Sequence, residues 1–194
     1  MDTVFAIAVG VGLSAACGFR VFVPLLMMNL MAMGGYLNLS PEFSWIGSPY
    51  ATAAFATATA VEVVGYYVPW VDHLLDIAAG PAAVIAGTIA TASMIVDLPP
   101  FLKWTLSLIA GGGIAGLVQG STAALRLKSS LSTAGAANPV FSTLEIVGSI
   151  VTSLLAVLAP ALGLILIGLF LFFILRKVGR FMLRKMKGGG MEGG

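Results

Sequence analysis

Three charged residues of the 194-residue chain stand inside long apolar runs, where a charge needs a chemical reason. Arg20 lies within residues 4–33, and Glu62 and Glu145 open the similar tetrapeptides Glu-Val-Val-Gly and Glu-Ile-Val-Gly. An uncompensated charge at mid-bilayer depth costs roughly 2.5 to 3.5 kcal/mol even on lenient insertion scales, so Arg20 needs a partner or a path to water. Either glutamate is a candidate partner, and the sequence does not choose between them.

Two interpretations fit a charged centre of this kind. The charges can bind an ion or a polar solute or relay protons, with hydroxyl groups from Ser14 and Thr122 completing the site. Alternatively, Arg20 and a carboxylate form a pair that only fixes the register of the helices. We expect a substrate- or ion-binding site at Arg20, Glu62, Glu145, Ser14 and Thr122, with the structural pair as the alternative.

A second polar group is the segment Asp72-His73-Leu74-Leu75-Asp76. Its two carboxylates have the i, i+4 spacing of one helix face and lie beside the only histidine, an arrangement that can hold a cation or a proton. A solvated helix start has the same composition. We expect a polar site on the cytoplasmic side at Asp72, His73 and Asp76, without a resident metal.

Catalytic motifs are missing from the chain. It contains no Gly-x-Ser-x-Gly, His-Glu-x-x-His or phosphate-binding loop. Cys17 is the only cysteine, which excludes an intramolecular disulfide and a cysteine-ligated metal. We therefore expect neither an enzyme nor a cofactor.

Composition sets the class of protein that must position these residues. Hydrophobic residues make up 59% and charged residues 9% of the chain, and the mean hydropathy is +1.03. These values predict an all-α integral membrane protein with no nucleic-acid partner. A chain of this length has room for about six transmembrane helices of roughly 20 residues each.

The first apolar run is too long for a single perpendicular helix. Thirty residues would reach about 45 Å, whereas the hydrocarbon core is about 30 Å thick. Gly18 and Pro24 bracket Arg20, so we expect a broken or kinked first helix there. The remaining spans are predicted at residues 50–68, 80–97, 101–125, 139–159 and 161–175, with loops at 34–48, 69–76 and 126–138.

Small residues recur at four-residue steps in two of these spans. One set is Gly10, Ser14 and Gly18, and the other is Gly112, Gly116 and Gly120. Each forms a small-xxx-small ridge suited to close helix packing. With Leu98-Pro99-Pro100 near the midpoint, the pattern predicts a 3+3 inverted repeat of residues 1–100 and 101–179, followed by a basic tail at 180–194. Chance similarity between glycine-rich helices is the alternative.

Lysine and arginine positions predict the orientation. With six spans, one side holds Arg126, Lys128 and the basic residues from Arg176 onward, and the other side holds Lys103. The positive-inside rule then makes both termini cytoplasmic. The basic tail suits contact with anionic lipid head groups, and the glycine ridges favour a homo-oligomer.

Several longer motifs run through the chain: GFRVFVPLL at 18–26, FSWIGSP at 43–49, Gly80-Pro81, and NPVFSTLE at 138–145. With these motifs the chain resembles the bacterial multi-pass family called domain of unknown function 4126. The resemblance implies a protein of the bacterial plasma membrane and brings no established activity. Our leading hypothesis is a small transporter or channel for an ion or small polar solute; the alternative is a membrane scaffold or accessory subunit with a structural charge cluster.

Overall fold

The computed structural model describes residues 3–133, 138–170, 172, 173 and 176, with the side chains at 69, 70, 73 and 131–133 outside the description. Within these ranges every regular element is helical. The α-helices are α1 Thr3–Cys17, α2 Phe22–Met33, α3 Pro49–Gly65, α4 Pro69–Met94, α5 Pro100–Leu106, α6 Gly113–Thr133, α7 Asn138–Leu158 and α8 Pro160–Phe170. A 3-10 helix at Pro41–Gly47 precedes α3, and a π-helical segment at Ser107–Gly112 joins α5 to α6.

Three of the described helices are long and apolar enough to cross a membrane: Leu74–Met94, Pro100–Ser130 and Asn138–Leu158. Three others, α1, α2 and α8, are apolar but shorter. The architecture is consistent with a helical membrane protein.

Proline marks the starts of several helices. Pro49, Pro69 and Pro100 occupy the first helical position, where the missing N–H would have no partner in any case. The predicted start of the third span at Gly80-Pro81 is wrong, because α4 begins at Pro69 and continues through Pro81. Pro81 removes one backbone donor, yet the helix is continuous over its 26 residues.

The first apolar run forms two helices separated by a turn at residues 18–21, as the sequence predicts. The helices do not continue in one direction. In α1, Gly10 lies against Thr91 and Ser14 against Gly87, so α1 runs antiparallel to α4. In α2, the Met28 sulfur accepts a hydrogen bond from Ser93, near the end of α4.

Helices α1 and α2 therefore form a helical hairpin that enters and leaves the bundle at the Met94 end. Helix α1 has 15 residues and α4 has 26, which correspond to about 22 Å and 39 Å. The hairpin turn consequently lies roughly halfway along α4. The expectation that this run crosses the membrane once is wrong, and Arg20 sits in the turn because the chain reverses there.

Glycine lets the hairpin turn approach α6 closely. A methyl group at Gly18 would lie 2.5 Å from Val118 Cβ and 2.6 Å from the Ala115 carbonyl oxygen. The other predicted ridge glycines pack elsewhere: Gly10 against α4, and Gly112 and Gly116 against Val84 of α4. Gly120 faces open space, so the predicted packing role is wrong there. Spans one and four meet at Gly18 instead of along two full ridges.

Two further expectations change with this topology. Residues 126–133 belong to α6 and are not a loop, which places Arg126 on a helix. Thr3 lies at the Met94 end of α4 and Arg126 contacts the other end, so the N-terminus does not share the face marked by Arg126. The C-terminus and the basic tail from residue 177 onward lie outside the described residues.

The predicted relation between the two glycine ridges also fails. Helices α1 and α6 both run antiparallel to α4, since Gly10 lies against Thr91 and Gly112 against Thr88. Two helices that run in the same direction are not related by inversion across a membrane.

Candidate functional site

The side chain of Arg20 is held by α7 at the turn of the hairpin. Its Nη2 lies 3.1 Å from Glu145 Oε2 and donates to the Ser142 hydroxyl at 2.6 Å and to the Ser142 carbonyl at 3.3 Å. Ser142 and Glu145 are three residues apart and share one helix face, so both reach the same guanidinium group. Glu145 is therefore the carboxylate partner of Arg20, which answers the question that the sequence left open.

The ring of Tyr66, directly after α3, makes cation–π contacts with two arginines. The guanidinium carbon of Arg20 lies 3.6 Å from the ring centroid, and that of Arg126 lies 4.6 Å from it. Cation–π contacts of this kind gain strength when water is excluded. The aromatic ring keeps two positive groups close to one another in the interior.

Arg126 connects this centre to α4. It pairs with Asp72, its Nη1 lies 2.7 Å from Asp76 Oδ1, and the same nitrogen lies 3.7 Å from Glu145 Oε2. Asn138, at the start of α7, donates to Asp72 Oδ2 at 3.1 Å. The predicted polar site at Asp72 and Asp76 thus joins the Arg20 centre, whereas the side chain of His73 lies outside the description.

We name the group formed by Arg20, Tyr66, Asp72, Asp76, Arg126, Ser142 and Glu145 the arginine cluster. Its charges are two guanidinium groups and three carboxylates. The side chains of Arg20, Arg126, Asp72 and Glu145 are all at least nine-tenths buried. Asp76 is 32% exposed, so the cluster reaches the surface of the bundle at the Arg126 end.

Some donors of the arginine cluster have no acceptor. Within the described part of the chain, Nε and Nη1 of Arg20 and Nε of Arg126 are buried without a hydrogen-bond partner. Buried polar groups in proteins are nearly always satisfied, and an unsatisfied charged donor is costly. The protein itself therefore leaves these charged donors unsatisfied.

Glu62 has a different role from the one expected. Its carboxylate accepts the backbone N–H of Val21 at 2.8 Å and that of Phe22 at 3.0 Å. The first N–H groups of a helix lack partners within it, and a negative charge is favourable at that end. Glu62 caps the start of α2 and ties α3 to the hairpin turn.

Ser14 and Thr122 do not belong to the arginine cluster. The Ser14 hydroxyl donates to the Gly87 carbonyl at 2.5 Å and lies 2.8 Å from Thr91 Oγ1, which joins α1 to α4. Thr122 donates to the Gln119 carbonyl of its own helix at 3.0 Å. Both hydroxyls are used in helix contacts, so the expectation that they line the site is wrong.

A groove between α3 and α4 approaches the cluster from the side. Its volume is about 610 Å³, and alanines from both helices form much of its wall. Glu62 and Tyr66 are among its lining residues. The groove reaches the cap of α2 and the ring that stacks on Arg20, but not Arg20 itself.

A family model described as a domain of unknown function, DUF4126, matches residues 7–180. The chain belongs to the DUF4126 family. The resemblance inferred from the motifs is therefore confirmed. The match includes every residue of the arginine cluster in this DUF4126 protein. No curated protein and no solved structure matches the chain.

Sequence reasoning missed Arg126, Tyr66 and Ser142. The predicted loop at 126–138 contains Arg126, although two carboxylates on one face of a helix starting at Pro69 indicate a nearby cation. Ser142 stands three residues before Glu145, a spacing that places both side chains on one helix face. For Tyr66 no signal was present, since an aromatic residue near the end of a membrane helix is ordinary.

Proposed function

We propose that this DUF4126 protein is a small transporter or channel for an ion or small polar solute, held at the arginine cluster partway across the membrane. The observation that carries the proposal is Arg20, which is 1% exposed and has two nitrogens without partners in the described residues. A buried cation with unused donors offers binding free energy to an incoming acceptor. A purely structural cation would be expected to use its donors fully.

The hairpin supports this proposal. Helices interrupted near the midplane are a common way for transporters to expose backbone and charged groups to a substrate. Here the interruption at residues 18–21 carries Arg20 and presents the start of α2 to Glu62. The exposed edge of Asp76 gives the cluster contact with solvent at the Arg126 end.

An inverted repeat remains part of the proposal, with different boundaries. Helices α2, α3 and α4 run in alternating directions. The continuous helical stretch Pro100–Ser130, which contains α5 and α6, runs antiparallel to α4, and α7 and α8 continue the alternation. Each helix of the second set of three therefore runs opposite to its counterpart in the first set. The contacts that indicate α8 is antiparallel to α7 are those of Gly163 with Leu155 and of Phe170 with Phe19, whose ring centroids are 6.0 Å apart. In this arrangement α1 is additional to the repeat.

The positive-inside rule gives the proposed orientation in the bacterial plasma membrane. Arg126 and Lys128 lie at the cluster end of α6, so that end is cytoplasmic and Thr3 is outside. The basic tail is proposed to contact anionic lipid head groups, and the exposed small residues of α3 would suit a homo-oligomer.

One observation favours the scaffold as a second candidate. Each of the three carboxylates of the cluster contacts an arginine, with Asp72 and Asp76 on Arg126 and Glu145 between both arginines. Paired charges of this kind can fix the helices relative to one another without moving anything.

Flux through reconstituted protein tests the proposal. Purified protein in lipid vesicles would be assayed for passage of sodium, potassium, protons, chloride, formate, phosphate and glycine. We expect flux of at least one of these with wild-type protein and its loss with the Arg20→Gln, Glu145→Gln double variant, which removes both members of one pair. Wild-type vesicles as tight as protein-free vesicles to the whole panel, or a folded double variant with full flux, would overturn the proposal in favour of a scaffold.

A further inference from the structure

We infer that the arginine cluster binds one small monovalent anion together with one proton, with the proton carried by Glu145. The inference rests on the proposed transport function and names the class of solute. It follows from the charges that surround Glu145 and from the donors left unused.

Charge around Arg20 is the first argument. In the described part of the chain, Glu145 is the one carboxylate within ion-pair distance of Arg20. The other nearby carboxylates have different partners: Asp72 and Asp76 contact Arg126, and Glu62 caps α2. If Glu145 takes up a proton, Arg20 loses its counterion. An anion that enters at that moment restores it.

Unused donors are the second argument. Arg20 already directs Nη2 toward Glu145 and Ser142, while its Nε and Nη1 and the Nε of Arg126 have no acceptor among the described residues. Arginine N–H groups bind carboxylates and other oxyanions through several hydrogen bonds at once. Both guanidinium groups also face one carboxylate oxygen, since Glu145 Oε2 lies 3.1 Å from Arg20 Nη2 and 3.7 Å from Arg126 Nη1.

Size and charge limit the ion. Arg20 is 1% exposed and is not among the residues that line the groove, which excludes a bulky ion. Proton uptake by Glu145 removes one negative charge from the cluster, and a monovalent anion returns one. The net charge of the buried cluster is then unchanged, which avoids the cost of an added charge in low dielectric.

Proton transfer needs no further reactant. A proton from water at the Arg126 end, where Asp76 is partly exposed, passes to Glu145, and its carboxylate becomes a neutral carboxylic acid. Release of the anion reverses the step. Anion binding and proton binding therefore strengthen each other by the same factor.

Several charged or titratable groups face Glu145 and set its response to pH. Two are cations, Arg20 from the hairpin turn and Arg126 from α6, and they oppose protonation. The carboxylates of Asp72 and Asp76 from α4 favour it. Near the end of α3, Tyr66 stacks on Arg20, and Glu62 bonds to backbone N–H groups of the turn.

Glu62 provides a matched control for Glu145. Both are buried glutamates close to the hairpin turn, but Glu62 contacts backbone amides and not the Arg20 guanidinium within ion-pair distance. A neutral glutamine at position 145 imitates the protonated acid, whereas a glutamine at position 62 removes part of a helix cap. The two substitutions should therefore differ in how anion binding depends on pH.

The test measures binding separately from flux. Melting temperatures of detergent-solubilised protein would be followed against sodium chloride and sodium formate, with the bulky anion gluconate at equal ionic strength as the reference. These series would be run at several pH values between about 5.5 and about 8. A ligand that binds the folded state raises the melting temperature in a saturable way.

For wild-type protein we expect saturable stabilisation whose half-saturating concentration rises with pH, by at most about tenfold per unit for one linked proton. Glu145→Gln should saturate at one concentration across the pH range, and Glu62→Gln should keep the pH dependence. The Arg20→Gln, Glu145→Gln double variant should lose saturable stabilisation.

Absence of saturable wild-type stabilisation, or half-saturation that does not change with pH, would overturn the inference. The wild-type series decides this even if Glu145→Gln does not fold. Flux of a cation or neutral solute without anion binding would overturn the inference and leave the proposed transport function standing. Proton-linked anion binding without any flux would support the anion site and overturn the transport proposal.

Discussion

Arg20 Nη2 lies 3.1 Å from Glu145 Oε2, so the cation of the first apolar run is paired with the fifth predicted span and not with the second. The pair joins the turn of the α1–α2 hairpin to α7. Since both side chains are buried, the pair contributes to holding the turn while both charges are present.

Glu145→Gln should destabilise the protein when no anion is added, because Arg20 loses its carboxylate. The cost of leaving one buried charge unpaired is roughly 3 to 5 kcal/mol. Adding Arg20→Gln should recover much of this free energy, since neither charge is then buried alone. Chemical unfolding in detergent would measure the double variant and both single variants, Glu145→Gln and Arg20→Gln. A double variant destabilised by the full sum of the two single effects, or by more, would contradict the pairing.

Glu62→Gln should loosen the hairpin turn. The amide oxygen can accept one of the two backbone N–H groups, but its NH₂ group is a donor and leaves the other unsatisfied, at a cost of about 1 to 2 kcal/mol. Hydrogen exchange should become faster at the amides of Val21 and Phe22. Val61→Ala, at a side chain that is 62% exposed on the same helix, should leave those amides unchanged. Equal exchange in both variants would rule out the cap.

Gly18→Ala and Gly120→Ala should have opposite effects. At Gly18 the added methyl group overlaps Val118 and the Ala115 carbonyl, and overpacking of this kind costs roughly 1 to 3 kcal/mol. At Gly120 the methyl group meets open space inside α6, where alanine is favoured over glycine by about 0.5 to 1 kcal/mol. Melting temperatures of the two variants compare them directly. Destabilisation at both positions would mean that α6 is packed at Gly120.

The hairpin predicts which residues share a side of the membrane. In a Cys17→Ser background, a cysteine at Val4 and one at Ser44 should react with an impermeant maleimide from the outside. A cysteine at Lys128 should react only after the membrane is opened. Cys17 is buried, so its replacement by serine changes no exposed group. Labelling of position 4 together with position 128 would indicate that the first run crosses the membrane.

Glu42 should give the Met94 end of the bundle a dependence on pH. The hydrogen bond from Lys103 lowers the pKa of Glu42 below its ordinary value of 4.5. A lowered pKa in the folded state adds stability above pH 4.5 that is lost as the pH falls through the folded value. The difference in melting temperature between wild type and Glu42→Gln should therefore be present at neutral pH and vanish in acid. In a Lys103→Met background the difference should be absent throughout, and a difference independent of pH would contradict the pairing.

Helix breaks and helix starts could be predicted from the sequence, because they depend on the length of an apolar run and on the backbone properties of nearby proline and glycine residues. The break in the first apolar run followed from a stretch too long for one helix and from Gly18 and Pro24 on either side of Arg20. Proline at position 24 falls in the first turn of α2, where its missing N–H has no helical partner to lose. The starts of α3 and α7 were predicted to within one residue for similar reasons.

The direction of the chain after the break was not readable. A kinked helix that crosses the membrane and a hairpin that turns back have the same local sequence, and the difference depends on contacts with distant residues. Here Glu62 caps the start of α2 and Gly18 fits against α6, so the reversal is stabilised by two other helices. Whether the first run crosses the membrane or turns back determines both the number of spans and the side on which the N-terminus lies.

Sequence alone determined which residues had to matter, because a buried charge is costly in any fold. Arg20, Glu62 and Glu145 were identified on that ground, as were the two carboxylates at positions 72 and 76. Only the tertiary structure decided what each one does. Arginine pairs with whichever carboxylate lies within a few ångströms of it. That distance is set by how α3, α6 and α7 pack, and the packing of distant helices cannot be inferred from the residues next to Arg20 in the sequence.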